Sequence, residues 1–469
     1  MKYTFPEGFK LGATGAGWQM EGEKDKRPDQ KHFPHLMWEN DRDAWYLGLG
    51  PDVASDFYSR FREDIPLFRQ AGILQYRFNI DWSRFLDDYE NVTVNEKAAQ
   101  YYSDVIDCLM ENGIEPILCL EHWELPAVLY EKYDGYASRH VQDLYVRYAA
   151  EAFRRYGDRV KTWFCFNEPM VIPELCFLNG FWWPHEHNPR RAYQWIHGKV
   201  MCTARTVEQF HRMIPDGKIG TILNSPYIVP RDASDPADAR AAEIADAFFW
   251  RPFTDTAILG RYPQLYLDIL KKEGLMFDLT AEDERIIAEN TIDILGMNYY
   301  QPMRVKAKET AWDDSKPFHP SKYYDDYDMP GKRMNPYRGW EIYPKSLYDI
   351  GMRIKNEYGN IDWVVSESGM GVQNEQQYKD EKGVIQDDYR IAFIAEHLAW
   401  LSKCVKDGSN CHGYWLFASL DNCSPYNTFK NRYGLLEVDR AQNLDRRLKK
   451  SAAWYRAAAE SNCFEFEEI

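Results

Sequence analysis

No stretch of the 469 residues is apolar for long enough to span a bilayer. The opening residues, MKYTFPEGFK, lack the apolar segment of a secretory signal, so a cytoplasmic enzyme is expected. Basic residues are outnumbered: 57 Lys and Arg face 73 Asp and Glu, a formal net charge of -16. That balance argues against nucleic acid or an anionic membrane as partner, because Lys and Arg dominate such surfaces. The nine cysteines are an odd number, scattered without paired metal-ligand spacing, and read as reduced thiols. No linker, low-complexity tract or internal repeat divides the chain, so residues 1–469 are expected to form one domain. Aromatics, by contrast, are plentiful at 15%, with 16 Trp and 32 Tyr. Most of them serve a large core, and the excess also suits a site that stacks flat sugar rings.

Short apolar segments alternate with long amphipathic ones. The strand-like runs begin at Phe9, Gly72, Ile114, Val160, Lys218, Thr291, Asp362 and Cys411. Several are nearly continuous in apolar residues, as parallel strands covered on both faces require. Between them lie helical patterns such as Val53, Phe57, Phe61, Ile65 and Phe68, and again Ile391, Ile394, Leu398 and Leu401. Eight strand-then-helix units predict a single (β/α)8 barrel with long loops after its strands. The polar stretch from Lys306 to Arg338 is expected to be a mobile insertion after the sixth strand.

Chemistry in such barrels sits at the C-terminal strand ends. There the sequence places Glu121-His122-Trp123, Asn167-Glu168-Pro169, Asn298-Tyr299-Tyr300 and Ser366-Glu367-Ser368. Glu168 and Glu367, at the ends of strands four and seven, would face each other across the barrel mouth. Two carboxylates can cleave a glycosidic bond, with retention when they lie about 5–5.5 Å apart and inversion when the gap is wider. The bland alternative is that each is the salt-bridge partner of a barrel arginine. His185-Glu186-His187 lacks the spacing of a metalloprotease helix and reads as a solvated or aglycone-side loop, so no metal is expected. Cys423 has no neighbouring His to make it a nucleophile. The acidic end, Glu465 to Ile469, reads as frayed.

Several segments resemble glycoside hydrolase family 1. TWFCFNEP is similar to that family's T-x-N-E-P motif, and VVSESG to its I/V-T-E-N-G motif. FKLGATGAGWQMEGE, YRFNIDWSR, LEHWELP, LGMNYY and GYWLFASLDN with NRYGLLEVD follow in family order over nearly the whole chain. The resemblance implies Glu168 as acid/base and Glu367 as nucleophile, without a cofactor. It implies Arg77 and Tyr300 beside Glu367, Asn167 on the sugar 2-hydroxyl, and Gln19 and His122 on the 3- and 4-hydroxyls. Ser366 and Ser368 stand where the family has Thr and Asn, and Phe417 stands where it usually has Trp. Trp340 and Trp415 could supply further aromatic surface or belong to the core.

Plain β-glucosidases of the family carry a Glu in the eighth loop, where this chain has Ser424. The family's 6-phospho-glycosidases place Ser there, followed by Lys and Tyr. Ser424, Lys430 and Tyr433 are available in this chain, although the family's lysine position falls on Asn431. Lys430 and Arg432 could equally be solvated loop residues. The lead expectation is a small 6-phospho-β-glycoside as substrate, gluco rather than galacto. A non-phosphorylated β-glucoside or β-galactoside, an inactive sugar-binding barrel and a metal-dependent hydrolase are the alternatives, and a homo-oligomer is left open.

Overall fold

The computed structural model describes residues 1–224 and 226–469. Eight parallel strands close into a barrel: β1 Lys10–Thr14, β2 Gln75–Asn79, β3 Glu115–Cys119, β4 Thr162–Asn167, β5 Lys218–Leu223, β6 Ile294–Asn298, β7 Asp362–Ser368 and β8 Cys411–Phe417. Each strand pairs with its neighbours in chain order, and β8 pairs with β1 to close the ring. All eight expected strand segments are these strands. Helices cover the outside, among them Phe57–Gln70, Glu96–Glu111, Arg139–Tyr156, Pro189–Met213, Ser346–Glu357 and Asp388–Lys406. Among the described residues no helix is long and apolar enough to cross a membrane.

The barrel is filled, as alternation along its strands dictates. Ile117, Cys119, Phe164, Ile222, Ile294, Val364 and Trp415 form a separate inner cluster. Trp415 therefore packs inside the barrel, with its indole N–H donated to Gln75 at the start of β2 (2.9 Å), and not on a sugar surface. The helices add a second, larger core against the outer strand faces.

Three expectations from the sequence need correction. Val53 precedes its helix and is exposed, because the helix begins only at Phe57. The 306–338 stretch is not wholly without structure: Met303–Ala307 pairs with Ile228–Pro230 on one side and Tyr324–Asp326 on the other, so these segments of it are tied into a small sheet. The acidic end is not wholly free. Cys463–Glu465 pairs with Lys2–Thr4, and Phe466 N–H donates to the Met1 carbonyl at 3.0 Å.

Candidate functional site

The strand ends open into a cavity of about 1150 Å³. Its wall includes Gln19, His122, Glu168, Tyr300, Glu367 and Phe417, so residues far apart in the chain meet at one place. Glu367 is the penultimate residue of β7, and its carbonyl is tied to the Tyr299 N–H at 2.8 Å. Gly369 follows closely, where a Cβ would collide with the Phe417 carbonyl oxygen, so the turn out of β7 requires glycine. Glu168 follows β4 with φ of +51°, and its N–H donates to the Ile222 carbonyl at 2.8 Å. A left-handed conformation at a non-glycine costs on the order of 1 kcal/mol and persists only where the surroundings fix it.

The two carboxyls have different surroundings. The Arg77 guanidinium pairs with Glu367 Oε1 inside the barrel, and the Tyr300 hydroxyl donates to Oε2 at 2.7 Å. These contacts fix the position of its carboxyl. Among the described residues no cation pairs directly with Glu168, and the Arg77 charge lowers its pKa only as a lesser effect. Its one side-chain donor is the Asn298 amide at 2.9 Å. Burial, and then the Glu367 charge, push its pKa up to about 8. The surroundings thus favour a proton on Glu168, while Glu367 is held by a cation and a hydroxyl.

The remaining polar groups form a network. Asn298 Nδ2 also reaches Asn167 Oδ1 (3.1 Å), and Ser366 Oγ donates to Asn298 Oδ1 (2.7 Å). Burial and Arg77 hold His122 well below its ordinary pKa, so the ring is neutral. Arg77 Nη1 lies 3.1 Å from His122 Nδ1, and the Asn167 amide nitrogen lies 3.0 Å from His122 Nε2, so the ring is held between the two side chains. Gln19 Oε1 is buried on the cavity wall without a hydrogen-bond partner, free to accept one from a ligand hydroxyl.

Above this floor the wall is aromatic. Tyr300 lies 5.1 Å from Trp340 and 6.1 Å from Phe417, and Phe417 lies 5.1 Å from Tyr433. Ser424 and Tyr433 line the same cavity. Lys430 does not: it is exposed, with its ammonium 5.8 Å from the Tyr46 ring. Nor does Asn431 line the cavity. It is buried behind the wall, its amide donated to the Tyr337 carbonyl at 3.3 Å. His185 reaches the rim and contacts Asp41 at 3.2 Å, while Glu186 pairs with Arg191. Among the described residues no cluster fit for a metal ion is found. Cys423 is buried, and burial pushes its thiol pKa up, away from nucleophilic use.

Asn298, behind the cavity wall, and Arg338 and Glu174, on it, are among the residues given no role from the sequence. Asn298 stood at a strand end and could have been chosen on that ground. Arg338, on the insertion, gave no signal. Glu174 lines the cavity, and burial raises its pKa to about 7.

Comparison with known proteins fits this geometry. Residues 1–464 match the model of glycosyl hydrolase family 1. The chain is 44% identical to the 6-phospho-beta-glucosidase GmuD of Bacillus subtilis, over 99% of both chains. It is 32% identical to a 6-phospho-beta-galactosidase of Clostridium acetobutylicum, also over 99% of both. Among solved structures, a family 1 β-glucosidase from Thermotoga maritima superposes with a TM-score of 0.89 at 30% identity, covering 99% of this chain and all of that one. A closed barrel, a cavity lined by two glutamates from opposite strands, and a match along residues 1–464 lead to one assignment: the chain belongs to glycosyl hydrolase family 1 and is a retaining β-glycoside hydrolase.

Proposed function

We propose that this chain, acting as one catalytic domain, hydrolyses small 6-phospho-β-glucosides by double displacement, with Glu367 as nucleophile and Glu168 as acid and then base. The observation that carries the mechanism is the unlike surroundings of two glutamates in one cavity: Arg77 and Tyr300 hold Glu367, while Glu168 is buried against the Asn298 amide. Glu367, paired with Arg77 and Tyr300, attacks the anomeric carbon. Glu168, protonated up to about pH 8, gives its proton to the leaving oxygen. Once the glycosyl-enzyme forms, Glu367 carries no charge, and the largest charge effect raising the Glu168 pKa is gone. Glu168 then takes a proton from the water that releases the sugar. Asn167, His122 and Gln19 bind the sugar hydroxyls, and Trp340 and Phe417 face its ring.

The phosphorylated substrate is supported by the 44% identity to a protein named for that activity and by Ser424 and Tyr433 on the wall. The segment from Asn422 to Tyr433 contains no Asp or Glu that would repel a phosphate. A phosphorylated sugar and nine unpaired thiols both suit the cytoplasm. The 31% identity to Beta-glucosidase A of Thermotoga maritima favours a second reading, a neutral β-glucoside. Turnover of 4-nitrophenyl β-glucoside against its 6-phosphate decides between them. The expected result is a kcat/KM preference for the phosphate, and a preference for the neutral glycoside overturns it.

A further inference from the structure

We propose that Arg338, from the segment between β6 and β7, is the cation that holds the sugar 6-phosphate, in place of a lysine from the segment after β8. This assignment rests on the phosphoglycoside reading above.

Among the described residues, three basic side chains other than histidine line the cavity wall: Arg304, Lys332 and Arg338. Two are already neutralised by partners. Arg304 makes a doubled contact with Glu341, with N–O distances of 2.7 and 2.8 Å, and Lys332 pairs with Asp328 at 2.8 Å. Among the described residues no carboxylate pairs with Arg338, and its Nε is buried without a hydrogen-bond partner. The guanidinium lies 4.3 Å over the Trp340 ring, a contact that fixes its plane without using its in-plane donors. It also faces the Tyr433 hydroxyl. Aromatic contacts run from this pair back to the reaction centre: Tyr433 to Phe417, Phe417 to Tyr300, and Tyr300 to Glu367. A planar fork of free donors at that position matches two phosphate oxygens.

The hairpin that carries Arg338 is braced from three sides. Met334 pairs with Glu341, the Asn335 amide donates to the Gly371 carbonyl at 3.0 Å, and Gln373 and Asn431 both donate to the Tyr337 carbonyl. The brace from Asn431 bears on the lysine question. The position at which a phosphate lysine was expected instead holds the residue next to Arg338, while Lys430 points away. The charge has moved from one loop to another, and its former position supports the new one.

Steady-state kinetics on 4-nitrophenyl β-glucoside and its 6-phosphate test this with Arg338→Gln, Arg338→Lys and Lys430→Ala. For Arg338→Gln the expected result is a rise of about 100-fold in KM for the phosphate substrate, the scale of a lost charge-assisted pair, with kcat nearly kept. Turnover of the neutral substrate by this variant stays at the wild-type level, which also shows that it is folded. Arg338→Lys falls between, because an ammonium keeps the charge and loses the fork. Lys430→Ala behaves as wild type. Competitive inhibition by glucose 6-phosphate weakens in parallel with the KM change. Equal losses on both substrates, or a loss confined to Lys430→Ala, overturn the assignment. A wild type that prefers the neutral glycoside overturns the phosphate reading and the assignment together. A wild type that prefers the phosphate, with Arg338→Gln unchanged, overturns the assignment alone.

Discussion

The strand ends and the loops above them treat polar side chains in opposite ways. At the strand ends Arg77, His122, Asn167, Asn298, Ser366 and Glu367 are buried and bonded to one another, so each fixes its neighbour's orientation. In the loops Trp340 and Arg338 are half exposed and Lys430 is exposed, and among the described residues the Arg338 Nε has no acceptor. The difference separates two tasks. A reaction centre needs groups fixed before the substrate arrives, because reorganisation adds to the barrier. A specificity pocket needs donors left unpaired until the substrate supplies the acceptor.

If that division is correct, changes at the strand ends lower kcat for every substrate, and changes in the loops alter the choice of substrate. The sharpest trial is Glu367→Gln, which keeps the shape of the side chain and removes the proposed nucleophile. Loss of at least about four orders of magnitude in kcat is expected on phosphorylated and neutral glycosides alike. Survival on either one would break the comparison. Glu168→Gln is expected to cost about 10²–10⁴-fold, more for an alkyl leaving group than for nitrophenol, which departs with little help from an acid. The wild type should lose activity on alkyl glycosides as pH rises through about 8, since Glu168 must carry a proton to act as acid. The Gln variant should lack that alkaline limb, and kcat/KM profiles of the two would show it. Tyr300→Phe removes one charge-assisted bond to Glu367 and should cost about 10–100-fold in kcat on both substrates.

The same division explains what could be read before the structure was known. The eight strands were legible because burial on both faces forces nearly continuous apolar runs, and Glu168 and Glu367 stood out as charges at the ends of such runs. Their neighbours Arg77, Asn167 and Tyr300 were reached through family motifs that lie on the same strand ends. The loops obey no such period. Nothing in the string of residues shows that Lys430 turns outward while Asn431 turns inward, since one residue of backbone register decides it. Nor could Arg338 be reached, because its approach to Tyr433 depends on a hairpin held by Gly371 and Gln373 from another segment. Trp415 stayed open between core and sugar surface for a related reason: its neighbours in sequence do not show how deep in the barrel it sits.

The smallest expected effect is also the finest test of the loop side. Ser424 begins the bend after β8 that returns at Thr428. Its hydroxyl donates to the Thr428 carbonyl at 3.2 Å, a long bond that a phosphate oxygen could take over by rotation about χ1. The backbone bonds between the two residues, 2.7 and 3.2 Å, hold the bend whether or not the hydroxyl is present. Ser424→Ala should therefore leave the fold and the neutral substrate untouched. It should raise KM for the phosphate substrate by about 2–10-fold, the worth of one ordinary hydrogen bond. An equal change on both substrates would mean that Ser424 shapes the cavity as a whole, and the boundary between reaction centre and specificity pocket would then lie higher in the loops than drawn above.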